Sequence, residues 1–241
     1  FILSDKIGQE AGFLNVFAME VHGIVDVVKN LFVKNMDDGS VAEYEVYEIE
    51  RIVKYAFETA MQRDKKLCMV DKANVLATSR LWRSVTDRIA KEYPEVAYSK
   101  MFVDNAAMQL IVNPTQFDVI VTGNMFGDIL TDEASVLGGS LGLLPSSSVG
   151  KHTAIFEPIH GSYPQATGKN IANPMGMILS AAMLFDHLQM TAIGTEIRNA
   201  VEQCINKGVV TEDLAKPDEK TYTTSEIGDA VTQVINSSIL I

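Results

Sequence analysis

From residue 47 to residue 137 the chain switches between two hydrophobic rhythms. "YEIERIVKYAFETAMQRD" places Ile49, Val53, Phe57 and Ala60 on one face with charges opposite, the pattern of an amphipathic helix. "KLCMVD" is a short apolar run with the length of a buried strand. "ATSRLWRSVTDRIAKEY" returns to helical period, and "AYSKMFV" is strand-like again. "DNAAMQLIV" predicts a helix, "FDVIVT" a strand and "GDILTDEASVL" another helix. Alternation with short connections predicts an α/β fold of βαβ units around a largely parallel sheet. Ligand chemistry on such sheets collects at the carboxyl ends of the strands.

The flanks read differently. Phe13, Phe17, Val21, Ile24, Val28 and Leu31 recur at helical spacing, so an amphipathic helix is expected there. Glu20, Asp26 and Lys29 make that stretch costly in a bilayer. A turn-like cluster, "KNMDDGS", follows it. From Gly138 onward, "GGSLGLLPSSSVG" reads as loop with one buried apolar segment. "TAIFEPIHGSYPQATGKNIANP" reads as an extended run, then a loop punctuated by glycine and proline. Helices are expected over 175–188, 192–207 and 225–238, and a domain transition near 138–145.

Composition narrows the partners. A length of 241 residues suits one large domain or two small ones, and 47% apolar residues supply a core. A formal charge of −11 repels a phosphate backbone, so neither nucleic acid nor an acidic membrane surface is an expected partner. Cys68 and Cys204 stand far apart in no metal-like spacing, which suits buried free thiols in a reducing, cytoplasmic compartment. The opening "FILSDKIGQE" has no features of a signal peptide, and its lack of methionine hints at sequence upstream.

Three predicted strand ends carry polar residues. After "KLCMVD" come Lys72 and Asn74; a lysine there is commonly a solvated charge, but among apolar neighbours it can serve as a base. Asp104 follows "AYSKMFV", where it could cap a helix or aim a carboxylate into a cleft. After "FDVIVT" come Asp128 and Asp132, one helical turn apart, where like charges repel unless a cation lies between them. Hard oxygen donors suit Mg²⁺ or Mn²⁺, with water and substrate completing the coordination. Lastly, His160, Gly161, Ser162 and Asn173 lie in a loop offering donors to a polar ligand. The G-x-G-x-x-G fingerprint occurs nowhere, so a Rossmann site is not expected.

Taken together, "VDKANVL" with "SRLWR", "VDNAAMQL", "FDVIVTGNMFGDILTDEAS", "GSLGLLPSSS", "FEPIHGS", "GKNIANP" and "TSEIGDAV" resemble the β-decarboxylating dehydrogenases, the isocitrate/isopropylmalate dehydrogenase family. The likeness runs in order from Tyr47 to Val234 and is nearest the isopropylmalate branch. It implies a two-domain α/β fold with a parallel or mixed sheet flanked by helices, the first domain incomplete. Residues 1–40 would be an atypical segment, 41–138 the metal, substrate and dimerisation domain, and 139–241 the rest of the dinucleotide domain.

The resemblance also implies a reaction. A small 2-hydroxy dicarboxylate, 3-isopropylmalate, would be oxidised by NAD and decarboxylated to 4-methyl-2-oxopentanoate with Mg²⁺ or Mn²⁺ as Lewis acid, a step of leucine biosynthesis. Asp128 and Asp132 would hold the metal in one subunit of a homodimer. Asp104, a metal and substrate group, and Lys72, the base, would reach in from the other. Asn74 would contact substrate or nicotinamide, and Glu157, His160, Gly161, Ser162, Gln165 and Asn173 would carry the dinucleotide.

Three departures stand out. Gln165 occupies the place of an aspartate that accepts the ribose hydroxyls in NAD-using members, although no Lys or Arg at 165 or 166 invites the 2′-phosphate of NADP. The family's general-acid tyrosine has no match, since Tyr44 and Tyr47 stand too near "EIER". The family also has a domain-sized upstream stretch bearing the arginines that clamp substrate carboxylates, whereas the first arginine here is Arg51. Alternatives are the same chemistry on isocitrate, homoisocitrate or tartrate, or a truncated non-catalytic homologue or subunit.

Overall fold

The structure is a computed structural model. It describes residues 46–150 and 152–237 with their side chains, the helix that continues to 239, and the backbone of five short strands upstream. Those strands are β1 (Ile2–Asp5), β2 (Leu14–Phe17), β3 (Val27–Lys29), β4 (Lys34–Met36) and β5 (Gly39–Val41). There follow α1 (Val46–Met61), β6 (Lys66–Asp71), α2 (Ala77–Ile89), β7 (Ala97–Phe102), α3 (Val103–Val112), β8 (Val119–Thr122) and α4 (Asn124–Ser135). The rest comprises β9 (Pro145–Val149), β10 (Ala154–Pro158), α5 (Met175–His187), α6 (Thr191–Asn206) and α7 (Thr224–Ile239).

The chain forms two compact units, Phe1–Leu137 with Ser148–Ile155, and Gly138–Ser147 with Phe156–Ile241. In the first, β6 pairs in parallel with both β7 and β8, and β8 pairs in parallel with β1. Beyond β1 the sheet turns antiparallel, β2 pairing with β1, β3 and β9, so it is mixed. Only the strands joined through crossover helices need be parallel.

The core follows the apolar periodicity. Ile49, Val53, Phe57 and Ala60 are fully buried, as are Met69 of β6 and Ile120 and Val121 of β8, whose two faces are thus both covered. Phe57 also stacks on Tyr93, 4.9 Å between ring centroids. Burying a side chain of that size contributes roughly 2–3 kcal/mol, so α1 is pinned chiefly by this face.

Two expectations fail. The helix expected over 13–31 is contradicted at 14–17 and 27–29, which are the antiparallel strands β2 and β3; the remaining residues of that stretch lie outside those described. Valine at 16, 27 and 28 is β-branched and fits a pleated surface, and pairing decides where spacing alone is ambiguous. The stretch read as loop after Gly138 contains β9, "PSSSV", buried from Pro145 to Ser148. Serine carries little strand signal, and burial is made tolerable by bonds such as Ser146 N–H to Ser180 Oγ, 3.4 Å.

In the second unit α5 packs on α6, and α6 on α7. Gly194 permits the closeness of α5 and α6, since a Cβ there would lie 2.9 Å from the Ala182 carbonyl. Arg198 on α6 pairs with Asp186 on α5 and ties the two together. No helix among the described residues is long and apolar enough to cross a membrane.

Candidate functional site

The carboxyl ends of β6, β7 and β8 carry Lys72, Asp104 and the Asp128–Asp132 pair, as parallel pairing requires. Lys72 Nζ and Asp104 Oδ1 are 2.5 Å apart, although Asp104 is exposed. The hydrogen bond from Lys72 is the main reason that the Asp104 carboxyl lies below its ordinary range. Asp104 is not the cap of its helix. Phe102 holds that position and Asp104 sits in the first turn. Asn74 is exposed in the loop after β6.

Asp128 lies one full turn inside α4, whose first turn contains no acid, so it is not a simple complement to the helix terminus. Its Oδ2 accepts from Asn124 Nδ2 at 2.7 Å, and Asp132 is exposed one turn later. Among the described residues no three His, Cys, Asp or Glu side chains stand close enough to hold a metal ion. Asp104, Asp128 and Asp132 of one chain are therefore not gathered into a single cluster. What one chain offers a hard cation is the Asp128–Asp132 pair, a fitting but incomplete donor set.

The exposed apolar residues give these acids a context. On α3, Met108, Ile111 and Val112 are exposed, and Asp104 precedes them by one and two turns on the same face. On α4, Met125 and Ile129 are exposed and, with Val136 just beyond the helix, follow helical spacing; Asp132 falls within that series. The helices α3 and α4 pack against each other. Asp104 thus lies on the exposed apolar stripe of α3, and Asp132 on that of α4.

Three further residues were not read from sequence as site components. Asp71, at the end of β6, is buried and accepts a fork from Arg83 on α2, Nε at 2.5 Å and Nη2 at 3.0 Å. Ser79 of the same helix accepts the Lys72 amide N–H at 3.1 Å. The available signal was the i, i+4 spacing of Ser79 and Arg83, which points both at the strand end.

In the second unit Glu157, Gly161, Ser162 and Gln165 are exposed, and His160 is half-buried. The Nδ1 of His160 lies 3.1 Å from the Gly161 carbonyl. Asn173 is engaged at both ends of its amide. Its Nδ2 donates to Asp213 at 3.0 Å and its Oδ1 accepts the Met175 N–H at 3.0 Å. Gly142 must stay small here, because a Cβ would approach the Asn173 Cβ to 2.8 Å. Burial would raise the Asp213 carboxyl, but hydrogen bonds from Ser140, Thr211 and Asn173 outweigh it and hold the group low. Asn173 therefore braces the loop, while Glu157, Ser162 and Gln165 present exposed polar groups beside it.

Comparison with known proteins decides the lineage. The isocitrate/isopropylmalate dehydrogenase profile matches residues 23–231, beginning upstream of the motifs that start at Tyr47. The chain belongs to the isocitrate/isopropylmalate dehydrogenase family. It is 57% identical to the 3-isopropylmalate dehydrogenase of Desulfitobacterium hafniense over 78% of this chain and 54% of that protein. With the Bacteroides fragilis 3-isopropylmalate dehydrogenase it shares 53% identity over 79% of this chain and 54% of the relative. The chain thus spans about half the length of the curated relatives it matches. Among solved structures it resembles the isocitrate dehydrogenase of Methylococcus capsulatus, TM-score 0.81 at 35% identity, covering 92% of this chain and 73% of that one. A β-decarboxylating dehydrogenase of Thermococcus kodakarensis gives a TM-score of 0.83 at 31% identity, covering 95% and 70%.

Proposed function

We propose that this chain is the metal- and base-bearing part of an NAD-dependent oxidative decarboxylase of 3-isopropylmalate, acting in the cytoplasm in leucine biosynthesis. The observation that carries this is the placement of Lys72 with Asp104, and of Asp128 with Asp132, just beyond parallel strand ends, with the acids on the exposed apolar stripes of α3 and α4. Joining two such faces in a homodimer would cover Met108, Ile111, Val112, Met125 and Ile129 and bring Asp104 of one chain toward Asp128 and Asp132 of the other.

Asp128, Asp132 and the partner subunit's Asp104 would hold Mg²⁺ or Mn²⁺. When bound, that ion and NAD supply Lewis-acid polarisation and a hydride acceptor. Asn124 orients Asp128 for this by occupying one of its oxygens. Lys72 holds a proton against Asp104 in this structure, so it would have to give that proton up before accepting one from the substrate hydroxyl. Asn74 would face the substrate, and Glu157, His160, Gly161, Ser162 and Gln165 the dinucleotide.

The test is reduced-nicotinamide formation by purified protein with Mn²⁺ and 3-isopropylmalate, isocitrate, homoisocitrate or tartrate, with NAD and NADP in parallel. Faster turnover of 3-isopropylmalate with NAD supports the proposal. Equal or faster use of isocitrate overturns the substrate assignment. Mn²⁺ binding without turnover of any substrate favours a non-catalytic homologue or subunit, the reading motivated by the unmatched clamp arginines and tyrosine.

A further inference from the structure

The carboxyl end of β6 is braced more heavily than a strand terminus requires. Asp71 is only 2% exposed, yet it is charged and gripped by the Arg83 fork. Its Oδ1 also accepts the Ala73 N–H at 2.8 Å, while Ser79 Oγ accepts the Lys72 N–H at 3.1 Å. Both amides that flank the Lys72 side chain are thus tied to fixed groups. The Arg83 guanidinium lies 4.9 Å from the Phe102 ring centroid, and Lys72 Nζ lies 5.8 Å from the same centroid. Phe102 leads directly into α3 and Asp104.

Stability alone does not call for this arrangement, because well-packed apolar groups commonly replace a buried ion pair without loss. A planar fork on a carboxylate instead confers direction. We propose that Asp71, Arg83 and Ser79 are positioning residues for Lys72. They fix the backbone over 71–73 so that the ammonium meets Asp104. The inference rests on the assignment of Lys72 to the site, but the geometry can be measured without turnover.

The molecule supplies its own control. Arg63 pairs with the buried Asp118 at 2.8 Å at the opposite edge of the same sheet, where no site residue stands. The experiment is limiting acetylation of the full chain, with Lys72 modification followed by peptide mass spectrometry. Arg83→Leu is expected to raise the Lys72 rate about tenfold, the scale of one lost charge-assisted hydrogen bond. Arg83→Lys, which keeps the charge but not the fork, should recover part of the protection, and Ser79→Ala should give a smaller rise. Arg63→Leu, compared at an equal distance below its own Tm, should leave Lys72 unchanged. If Arg83→Leu does not fold, Arg83→Lys and Ser79→Ala carry the same comparison. Equal Lys72 rates in the Arg83, Ser79 and Arg63 variants would overturn the proposal and leave Arg83 a purely structural partner. Where turnover is measurable, the Arg83 variants should lose kcat with KM nearly unchanged. A wild-type chain that turns over nothing, yet whose Lys72 responds to Arg83, would contradict the proposed activity while upholding the positioning role.

Discussion

The two edges of the parallel strands use the same chemistry for different ends. At the amino edge, Arg63 just beyond α1 meets buried Asp118 before β8, and Asp118 lies 3.4 Å from the Lys66 N–H. At the carboxyl edge, Arg83 on α2 meets buried Asp71, which also takes the Ala73 N–H. The first pair joins a helix end to two strand starts. The second joins the middle of α2 to the end of β6, one residue from a lysine that touches an exposed carboxylate. A buried Asp–Arg pair is therefore no mark of function in itself. What it braces decides its meaning, and here the carboxyl-edge pair stands beside the Lys72–Asp104 contact.

The comparison breaks most severely under loss of the buried acids. Asp71→Ala and Asp118→Ala should each destabilise the protein by about 3 kcal/mol, since each removes the buried carboxylate of an ion pair. Chemical denaturation should show similar losses, and a much smaller loss for Asp118→Ala would break the symmetry between the edges. Next in size, Ile129→Asp on the apolar stripe should shift a dimer to monomer in sedimentation without a comparable fall in Tm. A monomeric wild type would remove the shared-site geometry.

A subtler test concerns protons. The Lys72 bond holds Asp104 below its reference value of 3.8, so Lys72→Met should raise its midpoint toward 3.8 in a carbon-detected NMR titration. With the folded value depressed, the pair's contribution is present above the unfolded carboxylate value and is lost as pH falls through the folded one. Lys72→Met should accordingly flatten the acid limb of stability. The smallest effect belongs to Lys65, whose contact with Glu95 at 2.6 Å is exposed on both sides. Lys65→Ala should leave Tm indistinguishable from wild type, because solvent screens such pairs.

Much of this arrangement was legible in the residues. Helical period located α1 through α7, because each buries a stripe that only one period explains. Strand ends followed from the alternation, and with them the candidate acids. Positions 14–17 and 27–29 misled because phenylalanine and valine occur at spacings that serve both a helix and a strand. β9 was unreadable because "PSSSV" has no apolar alternation, its burial being imposed by neighbours. Asp71 and Asp213 stayed hidden for a related reason. Their partners, Arg83 and Asn173 with Ser140, lie at sequence distances that only the folded chain brings together.

The central claim, that Asp104 and the Asp128–Asp132 pair of different chains make one cation site, is most directly tested by mixing variants and titrating Mn²⁺. Asp104→Asn and Asp128→Asn should each bind Mn²⁺ weakly alone. Unfolded together and refolded, they should recover tight binding at about a quarter of the sites, from statistical pairing in a two-fold dimer. Mixed chains that bind no better than either variant alone would contradict a site shared between subunits.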